Sequence, residues 1–246
     1  MPSYFFQTYS LINKYLSNNI MPSYYDIYAK DYDKSRFSTR KGRFQQELEF
    51  ALLSELLGDV RNKKVLEIGC GTGRISSFLS SMGARVKAVD SSKEMLEIAC
   101  QKYPHIDFSY LDIEKAVPNG TYDIIIMMRV FFHLKHPKKA VEHLINALNK
   151  RGILIMDFLN KHSLQPLIMM PYLFRREENP TYFHSLSEVK QLIRPLEITE
   201  YRGFVFSPFI HLNSTVRFAS MKAELLLSNT SLKHVAGRII VKAQLL

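Results

Sequence analysis

The stretch Val65-Leu66-Glu67-Ile68-Gly69-Cys70-Gly71-Thr72-Gly73 decides the fold of this chain. Its apolar start predicts a buried strand, and the glycines that follow predict a tight loop. Gly69 allows a sharp turn out of the strand, Gly71 lets a ligand touch bare backbone, and Gly73 lets the next helix pack closely. Taken alone, a GxGxG loop is weak evidence for a cofactor site, so the surrounding residues decide what it binds.

The sequence around this loop alternates between predicted strands and helices. Strand patterns cover 64–68, 85–89, 106–111, 122–128 and 152–158, and helical patterns cover 44–57, 74–82, 92–103 and 137–149. This alternation predicts a doubly wound α/β fold with a mostly parallel sheet. This regular alternation ends after residue 160. The later sequence predicts a helix near 187–194, a strand over 196–206, an irregular to helical stretch over 208–232 and a last strand over 237–244.

Composition and charge limit the function classes. The 246 residues are 46% hydrophobic with a net charge of +10, which suits one domain with a packed core and favours anionic partners. No apolar run is long enough to span a membrane, and no signal peptide is evident, so a cytoplasmic location is predicted. The two cysteines form no disulfide framework, and the eight histidines show no metal-ligand spacing.

Carboxylates follow three of the predicted strands. Asp90 ends the second strand, 21 residues after Gly69, where a carboxylate can accept hydrogen bonds from the two hydroxyls of a ribose. Asp112 ends the third strand, where the edge of an adenine would lie, and Glu67 lies near the end of the first. Because ligands bind at the carboxyl ends of parallel strands, these three side chains in register predict a nucleoside-containing cofactor.

This ordered set resembles the class I S-adenosylmethionine-dependent methyltransferases. Similarity runs from about Tyr24 to Leu159 and returns at the last strand. The motifs that carry it are Glu67-Ile68-Gly69-Cys70-Gly71-Thr72-Gly73, Val89-Asp90-Ser91-Ser92 with Met95, Leu111-Asp112-Ile113, and Tyr122-Asp123-Ile124. The start of the chain, Tyr25-Asp26-Ile27-Tyr28-Ala29 with Tyr32-Asp33, is similar to small-molecule members such as quinone and sterol methyltransferases.

The resemblance implies a seven-stranded sheet with one antiparallel strand, an N-terminal helical cap and an insertion before the last strand. It implies S-adenosylmethionine as cofactor, with Glu67 facing the sulfonium and amino acid, Asp90 holding the ribose, and Asp112 and Met95 beside the adenine. The full set of expected cofactor residues is Glu67, Gly69, Cys70, Gly71, Gly73, Asp90, Ser91, Met95, Asp112, Ile113 and Met128. The expected organisation is an N-terminal extension and lid over 1–43 and a methyltransferase domain over 44–246, with a substrate-cap region over 160–235.

Two other functions fit the sequence less well than methyl transfer. A nicotinamide site wants GxGxxG, but the last position of that pattern is Arg74. A methyltransferase-like subunit that binds a partner without turnover is disfavoured by the intact set of cofactor residues.

The predicted acceptor is a small molecule, hydrophobic or anionic, because aromatic residues and arginines alternate after residue 160. A tRNA base stays an alternative because the chain is basic. Base-amine methyltransferases carry an Asn- or Asp-Pro-Pro-aromatic run after the fourth strand, whereas this chain has Met128-Arg129-Val130-Phe131-Phe132-His133 there.

His133 is the first choice for a general base, if the acceptor must lose a proton, because its ordinary pKa lies near neutrality. His184 and Arg129 are weaker candidates. Residues 1–20 are predicted to be dispensable, since Met21-Pro22-Ser23-Tyr24 repeats the opening Met1-Pro2-Ser3-Tyr4 and translation could start at Met21. Within 24–43, Tyr24, Tyr25, Tyr32 and Arg36 are predicted to cover the cofactor.

Overall fold

The computed structural model describes residues 23–167, 180–205 and 214–245. The predictions for residues 1–20 lie outside these ranges. So does part of the predicted substrate cap, including Tyr172, Phe174 and Phe209. Within the described ranges, no helix is long and apolar enough to cross a membrane.

The strands form one twisted sheet with helices on both faces. The strand order is β3-β2-β1-β4-β5-β8-β7, with every neighbouring pair parallel except those made by β8. The bounds are β1 Lys64–Ile68, β2 Arg85–Asp90, β3 Asp107–Tyr110, β4 Tyr122–Met127, β5 Leu148–Asn160, β6 Phe183–His184, β7 Glu197–Phe204 and β8 Arg238–Gln244. The predicted α/β fold and its single antiparallel strand are confirmed. The two-residue β6, which pairs with the end of β5, was not predicted.

The helices in chain order are α1 Tyr24–Phe37, α2 Arg40–Leu57, α3 Arg74–Ser81, α4 Lys93–Lys102, α5 Pro137–Asn146, α6 Leu186–Leu192 and α7 Ser214–Ser228. Two of them differ from the predicted bounds by three residues or more at one end. Helix α2 begins four residues early, because Thr39 caps it by accepting the Gly42 N–H. Helix α5 ends before 149, because Leu148 already pairs with Tyr122 of β4.

The continuous apolar run of β4 reflects burial on both faces of the sheet. Ile124 and Ile126 pack into the core beneath α2 and α3, whereas Ile125 and Met127 pack into the core beneath α5 and α6. This central strand carries the chain to Met128 and the loop that follows. The sheet thus brings the carboxyl ends of β1, β2 and β4 together at one edge.

Candidate active site

A cavity of about 260 Å³ opens at this edge of the sheet. All but one of the expected cofactor residues, and the first-choice base, line it: Glu67, Gly69, Cys70, Gly71, Asp90, Ser91, Met95, Asp112, Ile113, Met128 and His133. The exception is Gly73, which is absent from the lining as far as the structure describes it. Several lining residues escaped the sequence analysis: Phe37, Thr72, Arg74, Glu114, Val130, Leu134, Lys135 and Pro180.

The glycine loop turns as its sequence requires. Gly69 has φ +69°, and a Cβ there would lie 2.2 Å from Val130 Cγ2. Gly71 has φ +53°, and a Cβ there would meet no described atom within 4 Å, so its bare backbone faces open space. Gly73 has φ +82° and lies against the rings of Tyr103 and Phe108 at 2.9 Å from a Cβ. This close packing is the role that its spacing predicts, and its place among the cofactor residues stays a prediction.

Asp90 ties the loop to the end of β2. Its Oδ2 accepts a hydrogen bond from the Gly71 N–H at 2.7 Å, and its Oδ1 accepts one from the Ser92 N–H at 2.8 Å. Burial raises the pKa of Asp90 to about 6, although these backbone hydrogen bonds act to lower it. Each carboxylate oxygen has more than one lone pair, so both can accept a further donor from a ligand.

Glu67 is buried at the end of β1 and accepts a hydrogen bond from the Ser76 hydroxyl. Burial raises its pKa to about 8, and this outweighs the Ser76 hydrogen bond and the charge of Arg74. A buried carboxyl of this kind gains its negative charge readily when a cation enters the cavity. The placement agrees with the expected position of Glu67 beside a sulfonium and an ammonium group.

Asp112 follows β3, which is separated by β2 from β1, the strand that carries Glu67. Its Oδ1 accepts the Glu114 N–H at 3.1 Å, and its Oδ2 pairs with Lys115 at 2.8 Å. Met95 is buried in the first turn of α4, whose N-cap is Ser92. An apolar side chain and a half-buried carboxylate in one cavity lining suit the face and edge of a flat base.

Helix α1 covers the cavity and is anchored by two aspartates. Asp26 is buried and accepts the Ser92 hydroxyl at 2.6 Å, and it closes a capping box with Ser23. Asp33 accepts the Thr72 hydroxyl at 2.7 Å and pairs with Lys102. Asp26 thus bonds to the N-cap residue of α4, and Asp33 bonds both to the glycine loop and to α4.

Of the residues predicted to cover the cofactor, Tyr25 and Tyr32 line the cavity. Tyr24 and Arg36 are not among the lining residues that the structure describes. Tyr24 stacks beside Tyr28, with ring centroids 4.5 Å apart, and Arg36 is exposed.

His133 belongs to a short 3₁₀ helix, Phe131–His133, that follows β4. Its Nδ1 lies 2.9 Å from the carbonyl oxygen of Pro180, which can only accept. Nδ1 therefore carries the proton in the neutral ring, and Nε2 carries the lone pair. The Tyr25 ring meets the His133 ring edge-on at 5.9 Å. His184, the weaker candidate, lies against Phe131 instead and is not part of the described lining.

A buried ionic cluster forms the floor beside Glu67. Glu49 of α2 accepts hydrogen bonds from Arg74 at 2.9 Å, Arg129 at 2.6 Å and Arg238 at 2.8 Å, and Arg238 also pairs with Asp157. Burial raises the pKa of Glu49, but the three guanidinium groups outweigh it and hold that pKa well below its usual range.

One member of this cluster, Arg129, could have been recognised from the sequence. Arg129 directly follows an apolar strand, in the position that singled out Asp90, and it was considered only as a base. Glu49 and Arg238 gave no signal, since one lies on a helix and the other opens the last strand.

Comparison with known proteins identifies the family. The family model described as a methyltransferase domain matches residues 38–194, well over half of the chain. The chain belongs to the class I S-adenosylmethionine-dependent methyltransferases. S-adenosylmethionine is the cofactor that this membership assigns to it.

Curated relatives of this methyltransferase match it over about two thirds of their own length. A ubiquinone biosynthesis O-methyltransferase from Rickettsia canadensis is 26% identical over 161 residues, which are 60% of this chain and 68% of the relative. An uncharacterized methyltransferase from Alkaliphilus oremlandii is 32% identical over 141 residues, 54% of this chain and 64% of the relative.

Solved structures support the fold. Magnesium protoporphyrin IX methyltransferase from Synechocystis, with bound SAH, has a TM-score of 0.59 at 19% identity, covering 82% of this chain and 84% of its own. An S-adenosylmethionine-dependent methyltransferase from Mesorhizobium loti has a TM-score of 0.63 at 16% identity, with 80% and 97% covered. At these identities the likeness concerns the fold alone.

Proposed function

We propose that this chain transfers the methyl group of S-adenosylmethionine to a small-molecule acceptor, hydrophobic or anionic in character. The observation that carries the proposal is the continuity of one cavity. Its lining includes the glycine loop and Asp90 together with His133 and the aromatic side chains of α1. A cofactor and an acceptor could therefore lie against each other in it.

The residues present fit the cofactor. Gly71 offers bare backbone facing open space, and both oxygens of Asp90 can accept hydrogen bonds from ribose hydroxyls. Glu67 would hold the amino-acid end, and Asp112 with Met95 would hold the adenine. When bound, S-adenosylmethionine supplies a methyl carbon already activated by the sulfonium.

The chain's own contribution is alignment, exclusion of water and, where needed, removal of a proton. Aligning donor and acceptor supplies much of the acceleration of an in-line displacement. Tyr25, Tyr32 and Phe37 of α1 close over the cavity and would keep water from it. The Nε2 lone pair of His133 is placed by the Pro180 carbonyl to take a proton from an acceptor hydroxyl.

The character of the acceptor is supported by the lining beyond the cofactor residues. Tyr25, Phe37, Val130 and Leu134 present apolar surface, and Arg74 and Arg129 add positive charge. The curated relatives named as ubiquinone biosynthesis O-methyltransferases favour an oxygen as the atom that is methylated. We propose as the acceptor here an apolar ring that carries a hydroxyl and a negative group.

The domain division also stands as a proposal. Residues 24–43 would serve as the lid, residues 44–246 as the methyltransferase domain, and residues 160–235 as the acceptor cap. Pro180, which reaches the cavity from that cap and holds His133, supports the last assignment.

The test is methyl transfer from cofactor labelled on its methyl group. The full chain is incubated with a small-molecule extract of cells and, separately, with unmodified bulk tRNA. We expect label in the small-molecule fraction and none in tRNA, and no label with Asp90→Ala. Label in tRNA alone would favour the base-modifying alternative. Tight binding of cofactor with no transfer to either pool would favour a non-catalytic subunit.

A further inference from the structure

Two arginines at the cavity floor carry more hydrogen-bonding capacity than their surroundings use. The Nη1 atom of Arg74 and the Nη2 atom of Arg129 are buried, and residues 23–167, 180–205 and 214–245 offer neither of them an acceptor. A buried guanidinium nitrogen without an acceptor destabilises the protein, because it has lost its hydrogen bonds to water. Both residues line the cavity, so a ligand can supply the missing oxygens.

The remaining atoms of the pair are held firmly in place. Arg74 Nη2 and Arg129 Nε bind the two different oxygens of Glu49, at 2.9 and 2.6 Å. The Phe37 ring lies over both guanidinium groups, 4.3 Å from the Arg74 carbon and 5.4 Å from the Arg129 carbon. Neither group must be reoriented when an anion arrives, which is the arrangement that favours binding.

The backbone at Arg129 is also specialised. Arg129 has φ +63°, a conformation that a residue with a side chain rarely adopts, and its N–H donates to Asp157 Oδ1 at 2.6 Å. Such backbone persists only where the surrounding structure imposes it, and it is commonest at functional sites. Here it turns the Arg129 side chain back toward Glu49 and the cavity.

The cluster has a net positive charge, which favours binding of an anion. Arg74, Arg129 and Arg238 contribute three positive charges, whereas Glu49 and Asp157 contribute two negative ones. One excess positive charge therefore remains beside the cavity. Buried charge of this kind is stabilised by a counterion in direct contact.

We propose that Arg74 and Arg129 form a carboxylate-binding subsite in the floor of the cavity. The inference rests on the proposed function, because the carboxylate belongs either to the amino-acid part of the cofactor or to the acceptor. Planar carboxylates match the fork of a guanidinium group, and two such groups side by side select them over neutral ligands.

The first experimental arm addresses the cofactor. Calorimetry compares S-adenosylhomocysteine with its decarboxylated counterpart on the wild type, Arg74→Lys and Arg129→Lys. Lysine keeps the charge that Glu49 needs but loses the second arm of the fork. If the cofactor fills the subsite, each substitution weakens S-adenosylhomocysteine binding by about tenfold or more and leaves the decarboxylated ligand unaffected. Arg61→Lys, at an exposed pair with Asp59, is the control.

The second arm addresses the acceptor. The protein saturated with S-adenosylhomocysteine is titrated with 4-hydroxybenzoate and with 4-hydroxybenzamide, which has the same shape without the charge. If the acceptor fills the subsite, the carboxylate binds about tenfold or more tighter than the amide in the wild type, and both lysine variants lose that preference.

The proposal is overturned if neither arm shows a preference for the carboxylate in the wild type. This comparison needs no variant, so it holds even if a substitution prevents folding. Equal preferences in the wild type and in folded lysine variants would also overturn it. Failure of the proposed function would look different: S-adenosylhomocysteine would not bind at all, and the benzoate titration could still be read on the protein alone.

Discussion

The two ends of the cavity floor are built in opposite ways. The glycine-loop end is local in sequence: Glu67 through Met95 supply the strand ends, the loop and the first turn of α4. The arginine end joins residues far apart, and Glu49 meets Arg238 across 189 positions. The difference teaches that the cofactor half is specified by a contiguous motif, whereas the other half depends on the whole sheet being assembled.

The largest expected effect follows from removing the centre of the arginine end. Glu49→Gln removes the negative charge that pairs with three largely buried arginines and leaves Asp157 as the one carboxylate of the cluster. Removing one partner of a buried ion pair costs about 3–5 kcal/mol. We expect the free energy of unfolding, measured by urea denaturation, to fall by that amount. Asp59→Asn, at the exposed pair with Arg61, should leave it unchanged. A Glu49→Gln protein as stable as the wild type would show that the cluster does not hold the ends together.

The next effect concerns His133, the proposed base. His133→Ala removes the proposed base and should lower kcat with the true acceptor by roughly 100-fold, while the Kd for cofactor stays the same. The acidic limb of the pH–rate profile should disappear with it. His143→Ala, on α5 and outside the described lining, is the matched control. Near-normal kcat with an unchanged profile would reduce His133 to a packing role.

These two regions also mark what the sequence could predict. Gly69, Asp90 and Asp112 were found because strand periodicity and glycine spacing are local signals, and parallel strands bring their carboxyl ends together. Pro180 and Phe37 were not found, since nothing nearby in sequence tells which loop or helix end will reach the cavity. For Gly73 the spacing predicts both close packing and a cofactor contact, and the structure shows the packing, against Tyr103 and Phe108.

A smaller effect tests the cover over the glycine-loop end. Asp26→Ala removes the half of the α1 capping box that the Asp26 carboxylate supplies and also its bond to Ser92, while the Ser23 N-cap bond remains. Loss of such hydrogen bonds costs about 1 kcal/mol. We expect the Kd for S-adenosylhomocysteine to rise roughly fivefold, because α1 must be ordered to cover the cavity. Lys34→Ala, an exposed position of the same helix, should change nothing. An unaltered Kd for Asp26→Ala would mean that α1 takes no part in binding.

The pH dependence of cofactor binding sharpens the same comparison. Burial raises the pKa of Asp90 to about 6, and ribose hydroxyls need its ionised form as acceptor. Affinity for S-adenosylhomocysteine should be full above pH 6 and fall as the pH drops through that value, by up to about tenfold per pH unit. Glu67 has a pKa of about 8 in the free protein and loses its proton when the ammonium group enters, so it adds its own pH dependence in this window. The Asp90 contribution is therefore read as the difference between the wild type and Asp90→Asn. The step should vanish in Asp90→Asn, and its persistence there would assign it to another group.

The most direct measurement of the central claim is calorimetric titration of S-adenosylhomocysteine into the wild type, Asp90→Ala and Asp107→Ala. Asp107 is an exposed carboxylate of the neighbouring strand and serves as the matched control. If Asp90 holds the cofactor, we expect one site per chain, with binding weakened by about 1.5–3 kcal/mol in Asp90→Ala and unchanged in Asp107→Ala. Equal affinity in all three proteins would contradict the placement of the cofactor in this cavity.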